Sequence, residues 1–383
     1  MYWMTCNDIL LFVPGCEETM YNRSIQESRL HLAVDEPGSL TFTIDKSNTL
    51  YTYIKEFDII TLYDSDDITD LENGVIYRGR VIRKTYDMEN NLIVETEGLL
   101  ACLNDSFIPP FEFPRGHEIP EGSNVIEYLL QWMIDIHNAD MTSDQKIELE
   151  AVTVTDPNNS IVRSSEMPLT TMAALKEKFL NSSLGGHFVV RYTKDKTYLS
   201  YLSEFTETNS QTVTFGQNMV DITRDYDGSE IFTAICPYGK DNVNIKNLPD
   251  EEMYFRRIKK EGYLVINTQW ESILGKRIVK VVEWDDLRID LSLRTRAYLA
   301  CYYGSLDTNQ QITVQAIDLS RIDKAVEPFE IGKLVRVESE PHGIHEAFPL
   351  MSLDVPLDDL ANTSITIGAT ADTLTQKIAR IGD

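Results

Sequence analysis

Alternating apolar and polar residues dominate the first hundred positions of the chain. Leu40, Phe42 and Ile44, for example, are each separated by one threonine. This period of two is typical of half-buried strands. Strand-like runs of this kind lie at residues 30–34, 40–44, 57–63, 75–85 and 92–97. Short strands at such spacing predict that residues 1–105 form a first, closed or nearly closed, antiparallel β-barrel domain.

The period changes after Gly122. Ser123 or Asn124 can cap a helix, and its apolar face would carry Ile126, Leu129, Leu130 and Met133. A second helix is predicted from about Pro168 to the Gly185-Gly186 pair. Two further runs, 187–192 and 197–202, predict a hairpin. Residues 106–206 are therefore predicted to form a mixed α/β module.

The β pattern resumes at 211–216 and continues to residue 240. Residues 241–304 are more polar and end in a predicted helix over 291–303, so they are interpreted as an inserted α/β module. Strands return between 312 and 367, and the segments 207–240 and 305–370 are predicted to form a second β-barrel domain. Leu374, Ile378 and Ile381 stand at helical spacing and predict a C-terminal helix over 371–383.

A weak internal repeat links the two predicted barrels. Residues 40–45 are followed by an apolar run at 57–62, and residues 312–318 are followed by a similar run at 329–335. Each copy then reaches a glycine and another strand, which favours duplication of one unit. The predicted fold class is β-rich α+β and multidomain: two similar antiparallel β-barrel domains plus two smaller α/β modules.

Composition narrows the classes of function. The chain of 383 residues has a formal net charge of -26, which disfavours sequence-specific nucleic-acid binding. No apolar run approaches the ~20 residues that a membrane-spanning helix needs, and the first residues lack the basic segment of a signal peptide. The five cysteines are scattered without paired spacing, which predicts free thiols in a reducing cytoplasm.

Candidate chemistry is sparse. His342 and His345 could face one ion, but zinc needs further ligands, and a polar turn beside a strand is favoured. The acidic run 64–70 looks like a calcium loop, yet Thr69 and Val75 stand where such a loop needs glycine and glutamate. Carboxylates are too abundant for a glycosidase pair to be inferred. We therefore predict a protein that is not an enzyme, with no catalytic, cofactor-binding or metal-binding residue and no cofactor.

The passage at residues 97–105 is the most informative of the sequence. Its glycine, apolar run and Asn104-Asp105 pair precede Pro109-Pro110-Phe111, which predicts an extended arm. This passage resembles the hub domain of phage tail-associated lysins (prophage endopeptidase tail proteins), which is similar to the central baseplate hub of contractile phage tails. Further similar passages follow in the same order, at residues 125–138, 158–163, 184–202, 215–219, 235–240 and 329–344.

The resemblance implies a structural protein of a tailed phage or prophage, made in the bacterial cytoplasm and located at the virion tail tip. It implies a homotrimer in which two similar barrels per chain form a ring of pseudo-six-fold symmetry. The ring would close the tail tube, join the distal tail protein to the tip and open for DNA passage at host attachment. The implied partners are further copies of the chain, the distal tail protein, the tape measure protein, and receptor-binding or tip proteins.

Two alternatives stay open at the level of sequence. One is a tail-associated protein that degrades or binds cell-wall glycan, because long members of the family continue into a lytic module. This sequence stops at Asp383, where such a module would begin, which suits either a short hub or a piece of a longer chain. The other alternative is the hub of a phage-derived contractile injection machine.

Overall fold

The computed structural model describes residues 1–14, 23–113, 118–156, 161, 163–182, 184–227, 231–252, 257–284, 287–303, 309–321, 323 and 325–368. The predicted C-terminal helix over 371–383 lies outside these residues. In the described part, strands form one 13-stranded sheet, a five-stranded sheet, a three-stranded sheet and two short two-stranded pairs. The prediction of a β-rich fold is confirmed. The two-barrel layout and the domain boundaries stay predictions, apart from the assignment of one strand, β17, which is corrected below.

The N-terminal strands belong to the large sheet. They are β1 (Tyr2–Cys6), β2 (Ile9–Phe12), β3 (Gln26–Ala33), β4 (Ser39–Ile44), β5 (Ile59–Asp64), β6 (Val75–Tyr86) and β7 (Leu92–Gly98). All their pairings with one another are antiparallel. The predicted alternation is confirmed on β4, because Leu40, Phe42 and Ile44 are fully buried in one core.

The passage at residues 97–105 joins two hydrophobic cores. After Gly98 the chain makes a tight helical turn over Leu99–Asn104. Leu99 and Cys102 enter the core of the large sheet, while Leu100 and Leu103 enter the core of the next module. The proline-rich arm after it is extended as predicted, and forms β8 (Phe107–Ile108) and β9 (Phe111–Glu112).

The following module packs two helices on a small sheet. Its elements are α1 (Val125–Ala139), β10 (Ile147–Val152), β11 (Ser164–Ser165), β12 (Leu169–Thr170), α2 (Thr171–Leu175) with a wider π-helical turn (Lys176–Leu180), β13 (His187–Tyr192) and β14 (Thr197–Leu202). The predicted Asn124 cap is confirmed, since its side chain accepts from the Ile126 amide. The second helix begins later than predicted, because residues 169–170 pair with β8 and Thr170 caps the helix.

The large sheet resumes with β15 (Thr208–Thr214) and β16 (Met219–Asp227), and ends with β22 (Asn309–Ala316), β23 (Leu334–Ser339), β24 (Ile344–Pro356) and β25 (Ser364–Ile367). Between them lies the five-stranded sheet, with β17 (Ala234–Gly239), β18 (Glu251–Glu252), β19 (Ile258–Glu261), β20 (Leu264–Asn267), α3 (Thr268–Leu274), β21 (Val279–Trp284) and α4 (Asp290–Tyr303). The helix predicted over 291–303 is confirmed as α4.

One strand differs from its predicted assignment. The sequence placed residues 207–240 together in the second barrel, but β17 pairs with β20 and β21 and so belongs to the five-stranded sheet. Ile235 packs there against Leu293 and Ala297 of α4. The apolar pattern of β17 fits a strand of either sheet, so only the tertiary partner distinguishes the two.

The large sheet contains the same strand order twice. In the N-terminal half the hydrogen-bonded order is β3-β4-β7-β6-β5, and in the C-terminal half it is β16-β22-β25-β24-β23. Every pairing within these two series is antiparallel. The series are joined by one ladder, in which β24 pairs with β3.

The two series also agree in register. A bulge follows Val81 where β6 pairs with β7, and a bulge follows Leu350 where β24 pairs with β25. When the two bulges are superimposed, the strand pairings make residues 40–44 equivalent to residues 312–316. The sequence repeat predicted the same equivalence. For the second half of the repeat, the predicted alignment was wrong. It made residue 62 equivalent to Leu334, whereas the strand pairings make Ile59 equivalent to Leu334. Phe57 then coincides with Gly332, and both have positive φ.

Candidate assembly surface

Eight consecutive strands of the large sheet, in the order β16-β22-β25-β24-β3-β4-β7-β6, have one apolar and one polar face. We call this part of the sheet the wall. On its apolar face the side chains form one core that both halves share. Its other face carries Arg29, His31, Thr41, Arg83, Glu95, Asp221, Thr223, Thr313, Gln315, Ser352, Asp354, Ser364 and Thr366. An antiparallel sheet with this division presents its polar face to water.

The basic side chains of the polar face are neutralised locally. Arg29 lies 3.1 Å and His31 3.2 Å from the Asp354 carboxylate. Arg83 lies 3.5 Å from Glu95, its cross-strand neighbour. Hydrogen bonding to Asp354 raises the pKa of His31, and the same contact lowers the pKa of Asp354. Because each cation already faces a carboxylate, this face offers little attraction to a phosphate backbone.

The Arg29–His31–Asp354 cluster lies at the ladder that joins the two halves of the sheet. Asp354 is more than 300 residues from Arg29 and His31, so no local pattern in the sequence could have identified the cluster. The raised pKa of His31 means that its contribution to stability is complete below about pH 6.5 and is lost as pH rises through the folded-state value. The lowered pKa of Asp354 has the opposite sign, and its contribution is lost only in acid.

We therefore expect the joining ladder to be most stable between the lowered pKa of Asp354 and the raised pKa of His31. NMR titration should give His31 a pKa above 6.5, and Asp354→Asn should return it toward that value. The gain in unfolding free energy from pH 8 to pH 6 should shrink in the same variant. An unchanged His31 titration in Asp354→Asn would contradict the arrangement.

The predicted metal-ligand candidates do not converge. His342 contacts the Ser339 hydroxyl at 2.7 Å, whereas His345 contacts Glu338 at 2.8 Å. In the acidic loop, Asp67 accepts from the amide and hydroxyl of Thr69, so its carboxylate stabilises a turn. Among the described residues, no group of three or more His, Cys, Asp or Glu side chains is placed to hold a metal ion.

Four of the five cysteines lie in the described part and are free thiols, while Cys16 lies outside it. Burial raises the pKa of Cys102 to about 11, and those of Cys6 and Cys301 to about 12. Such groups are almost entirely protonated at neutral pH, and the thiolate is the reactive form. These three side chains therefore act as packing groups and not as nucleophiles.

We expect Cys6, Cys102 and Cys301 to resist an aromatic disulfide reagent in the native protein at pH 7.5. Each should react at least a hundredfold faster once urea unfolds the chain, because unfolding exposes the thiol and restores its usual pKa. Mass-spectrometric mapping of the labelled peptides distinguishes these sites from the partly exposed Cys236. Labelling of Cys301 at the rate of Cys236 in the folded chain would show that the site is open.

No helix in the described part of the chain is both long and apolar enough to span a membrane.

Within the described residues, the wall has two open strand edges: β16 is a terminal strand of the sheet, and the second half of β6 pairs only with β7. A surface of this kind suits association with another β protein more than it suits catalysis.

Comparison with solved structures shows that the fold is that of prophage tail proteins. The 43 kDa tail protein of prophage MuSo2 from Shewanella oneidensis is 13% identical, with a TM-score of 0.55 and 98% of each chain covered. The tail protein from Neisseria meningitidis MC58 is 12% identical, with a TM-score of 0.54, 98% of this chain covered and 99% of that one. At these identities the likeness establishes a shared fold.

The family comparison is more specific. Residues 206–378 match the sequence model of the prophage endopeptidase tail family, which confirms the predicted resemblance. A search of curated proteins found no match. Together, the matched segment and the shared fold support a structural protein of a phage or prophage tail. The family name includes an endopeptidase, but the comparisons assign no catalytic residue to this chain.

Proposed function

We propose that this chain is the hub of a phage or prophage tail tip and acts as a structural protein. Three copies form a ring at the end of the tail tube, with two equivalent sheet units from each chain. The ring joins the hexameric distal tail protein above to the tip proteins below, contacts the tape measure protein, and opens for DNA passage.

The observation that carries this proposal is the doubled strand order with coincident bulges. Two units that share fold and register can meet a six-fold partner through near-equivalent contacts while only three chains are present. A single unit per chain would need six copies to do the same.

The polar face of the wall supports the proposed passage of DNA through the ring. Its neutralised cations and its threonine, serine and glutamine side chains would line the opening of a ring without binding DNA tightly. The net charge of -26 acts in the same direction, because like charge repels the phosphate backbone at distances up to a Debye length.

The test measures the mass of the full chain in solution, alone and with the purified distal tail protein of the same phage or prophage. We expect a trimer, or a monomer that becomes trimeric on the distal tail protein, with three chains for each six distal subunits. A chain that stays monomeric and does not bind the distal protein would overturn the proposal. So would release of peptidoglycan fragments that one carboxylate substitution abolishes, since that result would establish a lytic enzyme.

A further inference from the structure

The outer face of strands β1, β5 and β6 is buried, although it points away from the core of the large sheet. Two cross-strand rows of side chains stand on it: Trp3 beside Tyr63, and Thr5, Thr61 and Arg78 side by side. We call these five side chains the outer layer. Each is at most 4% exposed. Directly opposite side chains of adjacent strands have Cβ atoms ~5 Å apart, so the outer layer is one compact patch.

The helical module that follows the first seven strands closes over the outer layer. In the turn before β10, the Asp144 carboxylate accepts from Arg78 Nη2 at 3.0 Å. In the β13–β14 hairpin, Lys194 pairs with Glu72 of the β5–β6 loop at 2.7 Å. Thr197 is the first residue of β14, so it lies at the same end of the small sheet, and it is 1% exposed. The outer layer is therefore enclosed between two modules.

Several buried polar atoms in this enclosed region have no hydrogen-bond partner in the described part of the chain. They include three nitrogens, Trp3 Nε1, Arg78 Nε and Arg78 Nη1, and the Thr197 hydroxyl. With the hydroxyls of Thr5 and Tyr63 they make six of the eleven such side-chain atoms found among the described residues. Buried polar groups are rarely left unsatisfied, because each one is costly. This concentration indicates that another group binds here.

The Tyr63 phenol shows that these groups act on one another. Burial raises its pKa, whereas the Thr5 hydroxyl and the Arg78 guanidinium lower it. The three nitrogens can only donate hydrogen bonds, while a hydroxyl both donates and accepts. Even with the Thr5 and Tyr63 hydroxyls turned toward each other, Trp3 Nε1 and the two Arg78 nitrogens still need an acceptor.

The neighbouring Arg80 shows what the surroundings of Arg78 lack. Arg80 is two residues further along β6, and its three guanidinium nitrogens donate to Glu97 and Asp105. Arg78 has only the Asp144 carboxylate on one nitrogen, and that carboxylate is 53% exposed. A buried guanidinium with one solvated counter-charge and two unoccupied nitrogens favours a second anion, because hydrogen bonds between charged groups are the strong ones.

We infer that the outer layer encloses a binding site for a small monovalent anion of the size of chloride. Arg78 Nε, Arg78 Nη1 and Trp3 Nε1 donate to the anion, and the Thr197 hydroxyl adds a donor from the other module. A water molecule would bring two more hydrogens to a site where donors are already in excess, whereas an anion accepts from all of them. The inference concerns a single copy of the chain and does not rest on the proposed function.

Chloride dependence of stability tests the inference in solution. The donors come from two modules, so the anion binds the native chain and stabilises it by mass action. Urea unfolding is followed by circular dichroism while chloride replaces gluconate, an anion too large for the site, at constant ionic strength. The equilibrium constant of folding should rise with chloride and approach a tenfold gain for each tenfold increase above the dissociation constant. A folding constant that does not depend on chloride would overturn the site.

Two variants remove donors from the site. Trp3→Phe keeps an aromatic ring to stack on Tyr63, whose ring centroid lies 3.9 Å away. It should raise the half-saturating chloride concentration about tenfold, as expected for the loss of one hydrogen bond to a charged group. Arg78→Gln should abolish the chloride dependence. Its matched control is Arg80→Gln, which changes stability but should leave the response to chloride as in the unaltered chain. Equal loss of the response in both arginine variants would overturn the assignment to Arg78.

Bromide in place of chloride locates the ion in crystals. Its anomalous signal should lie against Arg78 Nη1 and Trp3 Nε1 in the unaltered chain and be absent from Arg78→Gln. Ordered water without bromide at this position would overturn the inference. Bromide bound in the crystal, together with a folding constant that ignores chloride in solution, would mean an adventitious ion only and would overturn it as well.

Discussion

Gly98→Ala should unfold most of the chain, with a loss of about 4 kcal/mol or more in unfolding free energy. The backbone at Gly98 is extended, with φ of -61°, so the requirement is one of space and not of φ. An alanine Cβ there would lie 1.8 Å from the Pro37 carbonyl oxygen and 2.7 Å from the Tyr192 hydroxyl. Movement of either neighbour would break a hydrogen bond, because Pro37 O accepts from the Tyr192 hydroxyl and Gly98 N donates to Gly38 O.

The measurement is urea unfolding followed by tryptophan fluorescence, to which Trp3, fully buried in the large sheet, contributes. The matched control is Gly122→Ala, since a Cβ at Gly122 meets nothing within 4 Å and only the positive φ of 82° opposes it. That strain costs about 1 kcal/mol. An equal loss of unfolding free energy in the two variants would show that Gly98 does not pack closely against Pro37.

Phe42→Ala should cost about 3–5 kcal/mol, the range for removal of a buried aromatic ring. Phe42 is 0% exposed and lies on the apolar face of the wall, in the core to which both halves of the sheet contribute. Since the ring is fully buried among side chains of that core, its removal leaves a cavity that neighbouring strands cannot close without breaking their ladders.

Thr41→Ala is the control for this prediction, because Thr41 is the next residue on the same strand and faces the polar side. Its substitution should cost less than about 1 kcal/mol, the span of strand propensity. The same fluorescence titration measures both variants. If Thr41→Ala were as destabilising as Phe42→Ala, the assignment of the two faces of the wall would be wrong.

Much of the secondary structure could be predicted because it depends on local pattern. The alternation at 40–44, the capped helix after Asn124 and the hairpin at 187–202 were predicted close to their final bounds. The repeat of 40–45 in 312–318 was also detectable, since buried positions of equivalent strands keep their apolar character. The resemblance of the sequence to prophage tail proteins agrees with the family comparison.

The sequence could not predict which of several similar strands pair with one another in the folded chain. The strand at 234–239 has the pattern of a barrel strand but pairs in the five-stranded sheet. Arg29, His31 and Asp354 meet only because β3 and β24 pair across more than 300 residues. The predicted repeat aligned Phe57 with Phe329 because both are phenylalanine. In the structure Phe57 is equivalent to Gly332, and the two share a positive φ that the sequence does not reveal.

The two equivalent units differ in the strand that flanks their outer edge. β5 is flanked by β1 in antiparallel pairing, whereas its equivalent β23 is flanked by β15 in parallel pairing. A closed assembly of three chains would therefore show two kinds of outer strand in turn around its circumference. The ring proposed above would then have threefold symmetry, and a component docked on it would have three equivalent orientations instead of six.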